Sequence, residues 1–219
     1  RFANVDFKYT VFDSCYLRNC VFDSCDFTGC RFIACNLSGS TFPGCKFDYS
    51  TFERTYIEAE VLDTSCPPFE NLKARFARSL RMNYAQLGDA SAVNKAISVE
   101  LRAAEVHLHK AWQSNESYYR SKYAGLRRIQ MFFRWTMFKI LDFIWGNGES
   151  WWKLLRTCLI CLVAMAFADA FAFRRQAGVS IADALRSSPQ VFLGTLVPKE
   201  LPGWYITLVL GVRLVAFGF

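Results

Sequence analysis

Residues 22–37 read Phe22-Asp23-Ser24-Cys25-Asp26-Phe27-Thr28-Gly29-Cys30-Arg31-Phe32-Ile33-Ala34-Cys35-Asn36-Leu37. A large apolar residue returns every five positions, with a small residue two places before it. Followed outward in both directions, the large position holds Phe2, Phe7, Phe12, Leu17, Phe22, Phe27, Phe32, Leu37, Phe42, Phe47, Phe52, Ile57 and Leu62. The small position runs Val5, Thr10, Cys15, Cys20, Cys25, Cys30, Cys35, Ser40, Cys45, Ser50, Thr55 and Glu60. A period of five matches neither the roughly 3.6-residue turn of a helix nor the roughly two-residue alternation of a strand. A coil that turns a corner at every unit satisfies it, each side pointing one large and one small side chain inward.

Over residues 1–64 this pattern resembles the pentapeptide-repeat family. The resemblance implies a right-handed four-sided β-helix with about twenty residues per coil, stacked at roughly 4.8 Å. A solenoid of about three coils needs capping at both ends. The acidic or polar residue usual before the central position survives only as Asp6, Asp26 and Asn36.

The repeat also accounts for two odd counts, 21 Phe and nine Cys in 219 residues. Cys15, Cys20, Cys25, Cys30, Cys35 and Cys45 all fall on the small inward position. Their spacings are multiples of five, unlike the C-x-x-C pairs with His that bind metals. Cys25 and Cys45 should stack one coil apart, as should Cys15 and Cys35, but stacking does not supply disulfide geometry. Packing is the expected role, and free thiols favour a reducing compartment.

The net charge of +7 is unevenly spread. Residues 1–65 carry net −3, residues 66–150 net +6 and residues 151–219 net +4. Three parts are therefore expected: a repeat domain at 1–65, a helical region at 66–150 and an apolar module at 151–219. The first residue is Arg1 and the last three are Phe217, Gly218 and Phe219; both ends read as cut edges of a longer chain.

The repeat stops at Asp63-Thr64-Ser65-Cys66-Pro67-Pro68. Apolar spacing through Leu72, Phe76, Leu80, Tyr84 and Leu87 predicts a helix over 69–87, ended by Gly88. Asp89 caps a second helix over 90–112, giving a helical hairpin. His107 and His109 lie on different faces of it and read as surface histidines. A third helix, expected over 116–145, is basic first (Arg120, Lys122, Arg127, Arg128) and then aromatic, with Arg134 and Lys139 interspersed. That mixture suits a membrane surface, so these six cations are candidate contacts for anions or lipid. The chain lacks a Ser-His-Asp set, paired catalytic carboxylates, a Walker loop and a G-x-G-x-x-G motif, so no enzyme and no cofactor or metal is expected.

Trp151-Trp152 opens an apolar run to Phe173, about one bilayer core in length. Residues 204–219 form a second run, expected to continue past 219. Cys158 and Cys161 make a lone C-x-x-C on the first run and read as packing. Between the runs, residues 179–198 carry a Ser180–Asp183 capping box and the polar stretch Arg186, Ser187, Ser188, Pro189, Gln190. Polar backbone at membrane depth must lie against protein or water, so this segment reads as re-entrant. Asp169 and Arg213 are the intramembrane charges, expected to pair or, for Arg213, to face water.

Leu141-Asp142-Phe143-Ile144-Trp145-Gly146-x-Gly148-Glu149-Ser150 and the segments after it resemble bacterial pentapeptide-repeat proteins fused to a two-transmembrane, potassium-channel-like pore domain. The resemblance implies a homotetrameric channel in the bacterial inner membrane, multi-pass, with cytosolic repeats. Basic residues before the first span favour that orientation. Gln190, Gly194, Thr195, Leu196 and Val197 would line the pore. Potassium filters carry T-x-G-[YF]-G, whereas Gly194-Thr195-Leu196-Val197-Pro198 has one glycine. Potassium selectivity is therefore not expected.

The expectation is an ion channel biased by its cytosolic region. An anionic ligand such as a nucleotide or oligonucleotide would gate it, and depolarisation in antiviral defence is an extension of that idea. The competing expectation is a non-conducting, membrane-anchored repeat scaffold with an unknown protein partner. A nucleic-acid mimic that binds a topoisomerase would need a longer and more acidic solenoid than net −3 over about three coils.

Overall fold

A computed structural model describes residues 1–173, 180–196 and 201–217, with side chains to Leu214. It divides into two compact units, Arg1–Trp135 and Thr136–Phe219.

The first unit begins with five short strands: β1 (Phe2–Ala3), β2 (Val11–Asp13), β3 (Phe22–Asp23), β4 (Arg31–Ile33) and β5 (Thr51–Glu53). All pairing is parallel, and every partner lies twenty residues away: Phe2 on Phe22, Phe12 on Phe32, Phe32 on Phe52. Single bridges such as Asp6 to Asp26 to Lys46, and Tyr16 to Asn36 to Tyr56, keep the same offset. The backbone enters the left-handed region at Asn4, Tyr9, Ser14, Asn19, Ser24, Gly29, Ala34, Gly39, Gly44, Tyr49 and Arg54. One such residue recurs in every five, and the paired segments lie twenty residues apart. Most carry a side chain and accept the cost of positive φ. At Gly29 the reason for glycine is visible, because the Tyr9 ring lies where a Cβ would be, 2.6 Å away.

The large positions stack into columns. Phe2, Phe22 and Phe42 lie parallel at 5.1 and 5.4 Å; Phe7, Phe27 and Phe47 at 5.2 and 5.1 Å; Phe12, Phe32 and Phe52 at 4.8 and 5.0 Å. Rings in neighbouring columns meet edge to face, as Phe22 and Phe27 do at 5.4 Å. Both arrangements suit the aromatic quadrupole. Leu37 and Ile57 are buried in the fourth column.

The small positions do more than save space. Several of them donate to a carbonyl twenty-three residues earlier, among them Cys30 to Phe7, Cys35 to Phe12, Ser40 to Leu17, Cys45 to Phe22 and Ser65 to Phe42. Ser40 Oγ also accepts from the Cys20 N–H, and Thr55 Oγ1 from the Cys35 N–H. All nine cysteines are free thiols. Burial pushes the Cys45 thiol up to about 11, and raises Cys30 and Cys35 as well.

The last repeat unit leaves the strand path. Residues Val61–Thr64 form a short helix, α1, yet Leu62 stays buried and Ser65 keeps the ladder contact to Phe42. Helix α2 (Glu70–Leu87) then covers the last turn of strand. Its side chains replace the backbone that a further turn would offer. Asn83 accepts from the Thr55 N–H and donates to the Thr55 carbonyl, each at 2.7 Å. Ser79 accepts from the Phe52 N–H and Gln86 from the Arg54 N–H. Phe76 packs on Phe47 and Phe52 at 5.5 and 5.8 Å. Gly88, at φ +76°, ends α2, and Asp89 caps α3 (Ala90–Gln113) by accepting from the Ala92 N–H. Ala92 and Ala96 of α3 lie in the same core as the repeat phenylalanines. Glu100 ties the hairpin by bonding Arg78 and Arg81.

The single helix expected over 116–145 is two. Helix α4 (Ser117–Lys122) and α5 (Leu126–Trp145) are separated at Gly125, whose φ of +58° breaks the run. Before α4, the extended residues Ser114 and Glu116 fold the chain back, and Tyr119 and Tyr123 close on His107, each at 3.3 Å. His107 is thus half-buried rather than a surface residue, and burial, aided by the Lys122 charge, lowers its pKa.

Two outcomes follow. Asn83→Ala leaves the buried Thr55 N–H and carbonyl unpaired and should lower unfolding free energy by about 2–4 kcal/mol, read by denaturant titration. The Cys45 thiol holds its proton more tightly folded than unfolded. Its contribution is therefore complete below pH 9 and lost as pH rises towards about 11. Cys45→Ser should flatten the pH dependence of the melting temperature in that window.

Candidate pore site in the C-terminal unit

Helix α5 turns into α6 (Trp151–Ala168) through Gly146, Asn147 and Gly148, all at positive φ. Ser150 caps α6 by accepting from the Lys153 N–H. Three contacts lock this elbow. Lys153 pairs with Asp142 at 2.8 Å. Thr157 Oγ1 donates to the Ile144 carbonyl at 2.9 Å. The Arg156 guanidinium donates to the Phe143 carbonyl and lies over the Phe143 ring at 4.4 Å. Terminal carbonyls that α5 cannot pair within itself thereby find donors.

Helix α6 presents two unlike faces. Leu155, Leu159, Val163, Phe167 and Phe171 follow one another at spacing four, and all are exposed. On the other side, Ala166 and Ala170 meet Ala184 in close contact. Leu162, Met165 and Phe173 pack against Val191, Phe192, Tyr205 and Val209. A π-helical turn, Asp169–Phe173, extends α6 and buries Asp169 to 5% exposure. Trp151–Phe173 is long and apolar enough to cross a bilayer, and Gly203–Leu214 is apolar but shorter. Cys158 and Cys161 are half-buried and line an apolar groove of about 500 Å³ with Leu141, Ile144, Leu154 and Leu208.

Helix α7 (Ile181–Leu193) starts at the expected capping box. Ser180 Oγ accepts from the Asp183 N–H at 3.2 Å, and its hydroxyl donates to the Asp183 carboxylate at 2.7 Å. Ser188 is buried and donates to the Ala184 carbonyl. Pro189 lies inside the helix and cannot donate to the preceding turn. Gly194, at φ +76°, ends α7. Thr195 and Leu196 fold back so that both N–H groups and the Thr195 hydroxyl donate to the Gln190 carbonyl. From α8 (Gly203–Phe217), Arg213 Nη1 donates to the Leu193 carbonyl at 2.9 Å. The guanidinium lies where a Cβ on Gly194 would be.

The expected pore residues Gln190, Gly194, Thr195 and Leu196 thus gather, exposed, at the C-terminal end of α7. Val197 lies outside the described residues, as do residues 179 and 198 of the expected re-entrant stretch. Gly194, Leu196 and Arg213 line one cavity of about 250 Å³ with Val191, Phe192, Ile206, Val209 and Leu210. Of the two intramembrane charges, Arg213 is answered by a backbone carbonyl, an acceptor that no side-chain pattern announces.

The six cations proposed for anions or lipid are not equivalent. Arg128 donates to the Trp112 and Gln113 carbonyls and so finishes α3. Lys122 donates to the Tyr118 hydroxyl and lies over the Tyr118 and Tyr123 rings. Arg120, Arg127, Arg134 and Lys139 are exposed.

Residues 1–63 match the family described as the pentapeptide repeat region. No curated protein and no solved structure matches the chain. The match supports the repeat reading and does not extend to the apolar helices.

Gly194→Ala should destabilise the C-terminal unit by about 1–3 kcal/mol, since it forces a side chain into the left-handed region and against Arg213. A lowered melting temperature in detergent checks this, and Gly194→Asn, which tolerates positive φ better, separates the backbone part from the collision.

Proposed function

We propose that this protein is a multi-subunit membrane pore of the bacterial inner membrane, carried on a cytosolic pentapeptide-repeat platform. On this reading, residues 1–65 wind as a right-handed four-sided β-helix, and residues 151–219 form a two-helix pore module with α7 as its re-entrant helix. Four copies would surround the C-terminal end of α7. The cytosolic part would bias the pore, with an anionic ligand such as a nucleotide or oligonucleotide as the class of signal.

One observation carries the membrane part. The C-terminal unit exposes many large apolar side chains while two of its polar ones are buried. Leu155, Leu159, Val163, Phe167 and Phe171 of α6 are exposed, as are Trp204, Leu208, Leu210 and Leu214 of α8, while Asp169 and Ser188 are buried. In water that arrangement would leave a large apolar surface unsatisfied. In lipid it costs nothing, and the buried polar groups find partners within the protein. The polar end of α7, with Gln190, Gly194 and Thr195 unburied, supports the pore part because it suits a water-filled axis better than lipid.

A second reading, the non-conducting membrane-anchored scaffold, draws on the same end of α7. The Leu193 carbonyl is taken by Arg213, and the Gln190 carbonyl by Thr195 and Leu196. Carbonyls so engaged are not free to strip water from an ion.

The purified protein should resist alkaline extraction from membranes and run as a four-fold oligomer in detergent. Reconstituted into liposomes, it should collapse an imposed ion gradient. A monomer without flux would overturn the pore and leave the scaffold; release by alkaline wash would overturn both.

A further inference from the structure

The inference concerns the sign of the permeant ion and rests on the pore reading above. We propose that the cavity between α7 and α8 is a binding and selectivity site for small monovalent anions such as chloride, with Arg213 as the residue that sets the sign.

Arg213 lies ten residues beyond Gly203 along α8, about 15 Å at the helical rise, near the middle of a bilayer core of about 30 Å. A guanidinium is charged at every physiological pH. At that depth it must face protein acceptors, water or an ion. One N–H, on Nη1, donates to the Leu193 carbonyl. That bond holds the planar group over Gly194, at the C-terminal end of α7. The group also lines the cavity of about 250 Å³, whose other walls are Val191, Phe192, Gly194, Leu196, Ile206, Val209 and Leu210. All of those are apolar or glycine. Among the described residues the cavity therefore holds one ionisable side chain, and its charge is positive. Its volume admits an ion with part of its water shell.

A cation at this place would meet an unscreened guanidinium in a low-dielectric wall, with the Leu193 and Gln190 carbonyls already engaged. An anion would find the guanidinium's remaining donors. Asp169 does not line the cavity, and Asp183 sits at the opposite end of α7, bonded to Ser180. Rings of Arg or Lys select anions in the same way that rings of acids select cations. In an oligomer, each copy would add one such charge around the axis.

The test has two arms on the full chain in its membrane-mimetic form. Chloride binding is read by chloride NMR line broadening in detergent, which does not require conduction. Selectivity is read by the reversal potential of liposome or bilayer currents across a potassium chloride gradient. Broadening should be present in the wild type, kept in Arg213→Lys and lost in Arg213→Gln. The permeability ratio should favour chloride over potassium by at least about fivefold and fall to about one in Arg213→Gln. Arg186→Gln, on the exposed side of α7, should change neither. If Arg213→Gln fails to assemble, Leu196→Glu sets an acid at the same cavity wall and should abolish broadening and reverse the selectivity. A cation-selective wild type, or broadening indifferent to both Arg213→Gln and Leu196→Glu, overturns the inference while leaving a pore. Broadening that depends on Arg213 without any current supports the anion site and counts against the pore itself.

Discussion

The N-terminal unit depends on one constraint, the parallel register of twenty. Each turn of chain must land on the turn before it with rings over rings and small residues over small. Backbone pairs alone would tolerate other offsets. Phe columns at about 5 Å do not, since a slip of one residue would take every ring off the one it stacks on. The left-handed residue once per unit makes the return geometrically feasible. The small position then stitches adjacent turns by donating to the carbonyl twenty-three residues earlier. Cysteine and serine serve interchangeably there, as Cys30 and Ser40 illustrate. Both offer a short side chain with one donor. This explains why so many cysteines sit side by side as free thiols.

A stack of this kind has an end problem, because its last turn exposes a row of backbone groups. Helix α2 answers it with amide and hydroxyl side chains. Asn83 imitates a peptide unit, offering an acceptor and a donor to Thr55 at once. The consequence is that repeat and hairpin share one core and fold as one unit, although their periodicities are unrelated. A polar residue fully buried in an amphipathic helix would ordinarily look like an error. Here it is the point of attachment between two architectures.

The C-terminal unit is packed differently. Small residues let α6 and α7 approach, exposed branched and aromatic side chains cover much of the outside, Asp169 is buried, and Lys153 and Arg213 are bonded. Within it the end of α7 is the place where backbone leaves regular structure, and a single arginine from α8 organises that end. The contact between Arg213 and the Leu193 carbonyl joins the two helices and sets the guanidinium over Gly194.

Much of this was legible in the residues themselves. The period of five, the packing role of the cysteines, the end of α2 at Gly88, the cap at Asp89 and the capping box at Ser180 follow from local pattern and propensity, which need no knowledge of distant partners. The family match at 1–63 agrees with that part. The rest depended on long-range contact. Asn83 looks like an ordinary helix residue until Thr55 lies beneath it. His107 reads as exposed until the break at 114–116 folds α4 back over it. Asp169 and Arg213 invite pairing by their opposite charge, yet the bond recorded for Arg213 goes to a backbone carbonyl. Every residue carries a carbonyl, so sequence cannot mark which one will be left unpaired at a helix end. Local pattern therefore determined the elements, while tertiary packing decided which polar groups at their ends would meet.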